Sequence, residues 1–324
     1  MGAYSAVVVN SPSVSVHSLE WRFNGEGNAK MTEFQVDAAF GPSNDNDSVY
    51  EALIKPFIRL AFSQGLGTLL AYGQTGSGKT YTMTSIQDRI PEDIFACANE
   101  LHALSKRAPA GADLCGSGFT ISMSLLEIFG NDVFDLLNDH SPVMIMEDAT
   151  RTMQFPGAKE EVAHTPEELR RLLACGRALR RTQSTAKNSQ SSRSHAVCRI
   201  RIAKNNALGD SDDVLLHLVD LAGSESNSDS THHNRDRIRE SQSINKSLAT
   251  LKECIRNRAQ ARSTPKRHVY IPYRASPLTL LLKETFGVNP ERRCPAIVMA
   301  NMSPNILDVQ QTRNKMQYVA PLRI

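Results

Sequence analysis

Thr68-Leu69-Leu70-Ala71-Tyr72 runs without a charge into Gly73-Gln74-Thr75-Gly76-Ser77-Gly78-Lys79-Thr80, and this junction decides the fold. The first five residues read as a buried strand, because an unbroken apolar run closed by a turn signal offers no polar face to water. The next eight match GxxxxGK[ST] in full. Glycines at this spacing let the backbone fold tightly, so that successive N–H groups converge on phosphate oxygens, and a following helix adds the positive end of its dipole. Lys79 supplies a mobile charge for the β- and γ-phosphates, and the Thr80 hydroxyl a ligand for Mg²⁺. Average residue frequencies give this pattern by accident on the order of one time in a hundred in a chain this long.

A phosphate loop needs a second, acidic element to position Mg²⁺. Val214 to Val219 is another apolar strand, and it ends at Asp220. Alone, an Asp closing a strand is most often a turn or cap residue; beside a phosphate loop it fits the metal-positioning role. His195 to Ala203 alternates, with Ala196, Cys198, Ile200 and Ile202 on one face and Arg199 and Arg201 on the other. Phe119–Phe129 reads as a further strand. Ile244, Leu248, Leu251 and Ile255 recur at helical spacing within 243–258. Residues 41–47, 108–118, 224–234 and 258–266 read as loops from their Gly, Pro, Ser and charge content. Strands alternating with amphipathic helices argue for an α/β layered fold, and no stretch reads as an interdomain linker, so one domain over 1–324 is expected.

Composition narrows the class further. A 40% hydrophobic content excludes a wholly disordered chain, and 18 Gly with 15 Pro exclude a collagen-like one. The net charge of +3 excludes a histone-like polycation. Cys97, Cys115, Cys175, Cys198, Cys254 and Cys294 form no CxxC pair, which speaks against a disulfide scaffold or zinc ribbon and for reduced thiols in the cytoplasm. No apolar stretch approaches the roughly 18 residues of a membrane span. The start lacks a signal-peptide layout, and Ala6 breaks the myristoylation pattern. His232 and His233 are adjacent in a loop without further ligands, a pattern more often solvated than metal-binding.

Taken together, these residues resemble a kinesin motor domain. Ala71-Tyr72-Gly73 through Thr82-Met83 is similar to the kinesin phosphate loop, and Asn188-Ser189-Gln190-Ser191-Ser192-Arg193-Ser194-His195 to its switch I motif, NxxSSRSH. Asp220-Leu221-Ala222-Gly223-Ser224-Glu225 resembles switch II, DLAGSE. Ile244-Asn245-Lys246-Ser247-Leu248 and Tyr273-Arg274-Ala275-Ser276-Pro277-Leu278-Thr279 resemble the two tubulin-side signatures. The motifs stand in the family's order over about residues 31–320. The resemblance implies a single P-loop NTPase domain of the α/β class, with a central, mostly parallel sheet flanked by helices on both faces. It also implies Mg-ATP hydrolysis stimulated by microtubules, and a cytoskeletal location.

It further implies roles for individual residues. Ser191 and Ser192 would present hydroxyls to the γ-phosphate, the attacking water and Mg²⁺, while Asn188 would steady the same loop. Phosphoryl transfer needs positioning more than covalent chemistry, so small polar donors suffice. Arg193 and Glu225 resemble the ion pair that closes switch I on switch II, and Gly223 would offer its N–H to the γ-phosphate. Tyr81 takes the position that stacks on adenine. His195, at the start of a strand, reads as structural rather than as a general base. Hydrolysis would release the loops and shift the switch II helix against its track.

Between Lys246 and Arg274 lie Lys246, Lys252, Arg256, Arg258, Arg262, Lys266, Arg267 and Arg274 against the single acid Glu253. Such a run fits a solvated face or nucleic acid as well as a protein track. A nucleic-acid-dependent ATPase is therefore the competing reading, although no aromatic platform interleaves the basic residues. The resemblance points to the acidic microtubule surface, with Tyr273 joining the basic residues there. Lys252-Glu253-Cys254 after Leu251 is similar to the depolymerising kinesins, yet their Lys-Val-Asp loop tip is missing, and 31–41 reads as the family's usual strand. Walking and depolymerising both stay open. The family's RxRP strand and neck linker are not recognisable in 1–324, so a tubulin-gripping module with weak or no ATPase activity is a further alternative. No coiled coil marks an oligomer.

Overall fold

The computed structural model describes residues 5–21, 27–105, 118–149, 151–186, 193–204, 213–223, 235–264, 269–286 and 294–322. In chain order the strands are β1 (Val7–Asn10), β2 (Ser13–Trp21), β3 (Gly27–Gln35), β4 (Leu66–Gly73), β5 (Phe119–Phe129), β6 (Asp132–Asp135), β7 (Ser141–Pro142), β8 (Met146–Glu147), β9 (Met153–Gln154), β10 (Glu161–Ala163), β11 (His195–Lys204), β12 (Val214–Asp220) and β13 (Ala296–Asn301). The helices are α1 (Asn46–Val49), α2 (Lys55–Gln64), α3 (Lys79–Ser105), α4 (Pro166–Ala186), α5 (Arg235–Ser263), α6 (Pro277–Leu281), α7 (Lys283–Phe286) and α8 (Val309–Val319).

The central sheet has the order β13-β4-β12-β11-β5-β6-β7, with β10 joined to the far end of β5. Every residue of β4 and β12 is buried, Thr68, His217 and Asp220 among their otherwise apolar residues included. Parallel register is confined to β13, β4 and β12, whereas β11, β5 and β6 pair antiparallel. Too few residues separate Lys204 from Val214 for the crossover that parallel pairing needs, so β11 returns beside β12 as an antiparallel strand.

Helices cover both faces. On one, Ile54 and Ile58 with α3's Ile86, Ile90 and Ile94 and α4's Leu169 and Leu173 pack on Leu69, Cys198, Leu216 and Leu218. On the other, α5's Ile244, Leu248 and Leu251 with α6's Leu278 and Leu281 pack on Leu70, Val197 and Val219. A separate three-stranded antiparallel sheet, β1-β2-β3, rests on α8 through Val14, Val16, Phe34 and Met316. The described cysteines form no disulfide. No helix among the described residues is long and apolar enough to cross a membrane.

The strands expected at 68–72, 119–129, 195–203 and 214–219 all form. The loop expected at 258–266 does not begin where charge density suggests, because α5 continues to Ser263. Arg258 to Ser263 contains neither Gly nor Pro, and Arg, Ala and Gln are good helix formers. Residues 224–234 and most of 108–118 lie outside the described residues.

Candidate nucleotide-binding site

β4 ends at Gly73, and the chain turns through Gln74–Gly78 before α3 begins at Lys79. Gly73 has φ +157°, and a Cβ there would stand 2.4 Å from the Asn301 carbonyl oxygen of the neighbouring β13. Gly76 and Gly78 take φ +78° and +94°, which L side chains rarely adopt. Gly73→Ala is expected to destabilise the fold by roughly 2–4 kcal/mol through combined backbone strain and overpacking. Urea unfolding followed by circular dichroism checks this.

The turn is internally braced. The Gln74 carbonyl accepts from Ser77 Oγ at 2.8 Å, and the Lys79 ammonium, only 8% exposed, donates to Gly73 O at 2.8 Å and Gln74 O at 2.9 Å. Thr75, Thr80 and Tyr81 are exposed around the mouth of a cavity of about 430 Å³. Tyr81 is 73% exposed, so it is available at the mouth and does not pack against the sheet.

Asp220 reaches the same cavity from β12. It pairs in register with Ala71, two residues before Gly73, so the two strand ends stand side by side. One carboxylate oxygen, Oδ2, accepts from Arg180 of α4, and the other, Oδ1, is buried with no hydrogen-bond partner among the described residues. A buried, unpaired carboxylate oxygen carries a desolvation cost that a cation or its bound water relieves. Together with the Thr80 hydroxyl this hard-oxygen donor set fits Mg²⁺. Leu221 donates to Ala71 O at 3.1 Å, and Gly223 lines the cavity beyond it.

Arg180 is one residue that motif reading missed. It also donates to Ser194 O at 3.1 Å, so it joins the segment entering β11 to the carboxylate at the end of β12. The sequence carries only a faint signal for it, an Arg one turn beyond Gly176 and Arg177 on an amphipathic helix. His195 carries more than its structural reading allowed. Its Nδ1 accepts from Ala222 N–H at 3.0 Å and its Nε2 bonds Ser247 Oγ of α5 at 2.8 Å, while Ser247 donates onward to Ile244 O. Burial pushes its pKa down to about 3, with Arg180 adding to the effect. Ser194 Oγ donates to buried Glu127, which also bonds His140. Arg193 sits at the turn before β11. Asn188, Ser191, Ser192, Glu225, His232 and His233 lie outside the described residues.

The basic residues of 246–274 divide by face. Lys246 and Arg256 are exposed on α5, and the Arg274 side chain is 82% exposed. Lys252 instead lies 3.9 Å over the Tyr318 ring of α8, half-buried, with its pKa lowered by burial. Arg258 sits over the Phe286 ring, and Tyr273 donates its hydroxyl to Phe286 O at 2.5 Å, so both turn inward. Lys266 and Arg267 lie outside the described residues.

A glycine loop between a buried strand and a helix, with an acid closing the adjacent parallel strand, defines a P-loop nucleoside-triphosphate domain. A sequence profile of the kinesin motor domain matches residues 3–323, and the chain belongs to that family. Diatom spindle kinesin-1 of Cylindrotheca fusiformis is 35% identical over 309 residues, which cover 94% of this chain and 45% of that protein. The chain thus spans under half the length of this relative. Among solved structures, a fast kinesin superposes with a TM-score of 0.78 at 28% identity, over 99% of this chain and 86% of that one. A KIF14 dimer bound to a microtubule with AMP-PNP gives 0.76 at 29% identity, over 99% and 88%.

Proposed function

We propose that this domain is a Mg²⁺-dependent ATPase stimulated by microtubules, coupling hydrolysis to track binding and to force or filament-end remodelling in the cytoplasm. The observation that carries this reading is that Lys79 and Asp220, whose Oδ1 is buried with no hydrogen-bond partner among the described residues, line one cavity. Bound Mg²⁺ would neutralise charge on the β- and γ-phosphates. Thr80, Asp220 and Ser192 would hold it, and Lys79 would exchange its two loop carbonyls for phosphate oxygens. Arg180 orients the Asp220 carboxylate through its bond to Oδ2. Gly223 would offer a backbone N–H to the γ-phosphate, where the absence of a side chain permits close approach. Ser191, Asn188, Arg193 and Glu225 would order the loops around the attacking water. Tyr81, exposed at the mouth, would lie against the base.

His195 supports the coupling. It bonds Ala222, just before Gly223, on one side and α5 on the other, so movement at the strand ends reaches the helix that presents Lys246 and Arg256. With Arg274 these form the proposed track contact, while Lys252, Arg258 and Tyr273 would shape the helix behind it. Lys266 and Arg267 would extend the same basic surface.

A microtubule-titrated ATPase assay at low and higher salt tests this. The rate is expected to rise with microtubules, and half-saturation to move several-fold upward between about 0.01 and 0.1 M salt, since exposed charges are screened beyond the Debye length. A rate indifferent to microtubules sinks the motor reading. Cosedimentation without nucleotide turnover would favour a tubulin-binding module, and stimulation by DNA or RNA a nucleic-acid ATPase.

A further inference from the structure

The face that α8 buries is Thr312, Lys315 and Met316, spaced i, i+3 and i+4. Two of these behave as expected. Thr312 donates to Ser303 O at 3.1 Å, and Met316 enters the apolar cluster with Val14, Val16 and Phe34. The third is a lysine only 3% exposed, and its ammonium donates to the Gln74 side-chain carbonyl at 2.6 Å.

Gln74 is the first variable residue of the phosphate loop and is itself 7% exposed. Its two carbonyl groups are held by two lysines. Lys79 takes the main-chain oxygen at 2.9 Å and Lys315 the side-chain oxygen at 2.6 Å, 241 positions along the chain. If Lys79 turns to a phosphate, Lys315 and Ser77 still hold Gln74 in place. An ammonium is costly to bury, and a methionine would fill the same helix position without that cost. What lysine adds is a charge-assisted bond to the loop and positive potential behind a site that gathers phosphate oxygens.

We propose that Lys315 is a positioning residue of the nucleotide site, which fixes the phosphate loop through Gln74 and makes nucleotide affinity depend on how α8 is seated. This rests on the nucleotide-binding reading above. The test is a titration of a fluorescent ADP analogue with Mg²⁺ into the wild type, Lys315→Met and Lys315→Arg. Lys315→Met is expected to weaken binding about ten- to a hundredfold, the range of a lost hydrogen bond to a charged group, without lowering the melting temperature. Lys315→Arg, which keeps charge and donor, is expected to recover part of that loss. Affinity of folded Lys315→Met within twofold of wild type overturns the proposal and leaves nucleotide binding intact. Failure of the wild type to bind overturns both readings. Should Lys315→Met not fold, amide exchange in the wild type decides: the nucleotide is expected to slow exchange across 309–319, and an unchanged α8 overturns the link.

Discussion

Lys79→Ala is expected to lower the microtubule-stimulated ATPase rate on the order of a hundred- to a thousandfold, the usual loss when one preorganised donor to a developing charge is removed. The Lys79 side chain leaves the first turn of α3, lies 8% exposed, and already bonds two carbonyls of the loop that would wrap the phosphates. The ammonium is already held at the loop, and a phosphate oxygen would take the place of one of those carbonyls. Lys79→Arg is expected to fail nearly as badly, because the planar guanidinium is bulkier than a compact ammonium and directs its donors differently. Phosphate release at saturating microtubules measures the effect, with circular dichroism melting to show that the fold survives. A rate within threefold of wild type would mean that the loop is not the hydrolytic site.

The loop was legible because everything it needs is contiguous. A buried strand, three turn glycines, a lysine and a hydroxyl fall within thirteen residues, and each has a local physical reason to be there. Asp220 was legible at one remove, as the polar stop of a second apolar strand. Arg180 and Lys315 were not, since a polar residue on a helix reads as solvated until the tertiary structure supplies its partner, 40 and 241 positions away. For Lys315 a trace existed, a lysine placed on the stripe of Thr312 and Met316. The basic run shows the same limit from the other side. Counting charges from Lys246 to Arg274 merges the two faces of α5 with residues beyond its end, whereas Lys252 shares the stripe of Leu248, Leu251 and Ile255 and turns toward Tyr318. Strand direction was partly hidden too, because apolar content reports burial and not polarity. The short connection from β11 to β12 is what sets their antiparallel pairing.

Acid is expected to unfold this domain far sooner than its surface charge suggests, through two histidines. His195 and His217 are both fully buried, and burial pushes each pKa from 6.5 down to about 3, with Arg180 beside the first and Arg199 beside the second adding to the shift. A folded value below the unfolded one means that the unfolded chain binds protons more readily. Stability from these groups is therefore complete above about pH 6.5 and is lost as the pH falls toward 3. At pH 5 each accounts for about 2 kcal/mol, so the pair removes about 4 kcal/mol relative to pH 8, a large share of a typical domain's stability. The two act for different reasons. His195 must keep Nδ1 unprotonated to accept from Ala222 N–H, and a proton there would break the link between the end of β12 and α5. His217 has both ring nitrogens buried with no hydrogen-bond partner among the described residues, so its charged form would be unsolvated on β12. His217→Leu should thus raise stability at pH 8 by about 1 kcal/mol and halve the acid dependence, because it removes two unmet polar atoms and one proton site. At the alkaline end, burial raises the Cys198 and Cys254 thiols to about 12 and Cys294 to about 11. Stability should fall again above about pH 9, where those thiols ionise once the chain unfolds. Urea midpoints at half-unit steps from pH 5 to 10 trace the plateau. A midpoint unchanged between pH 8 and 5 in the wild type would show that neither imidazole is held neutral by the fold.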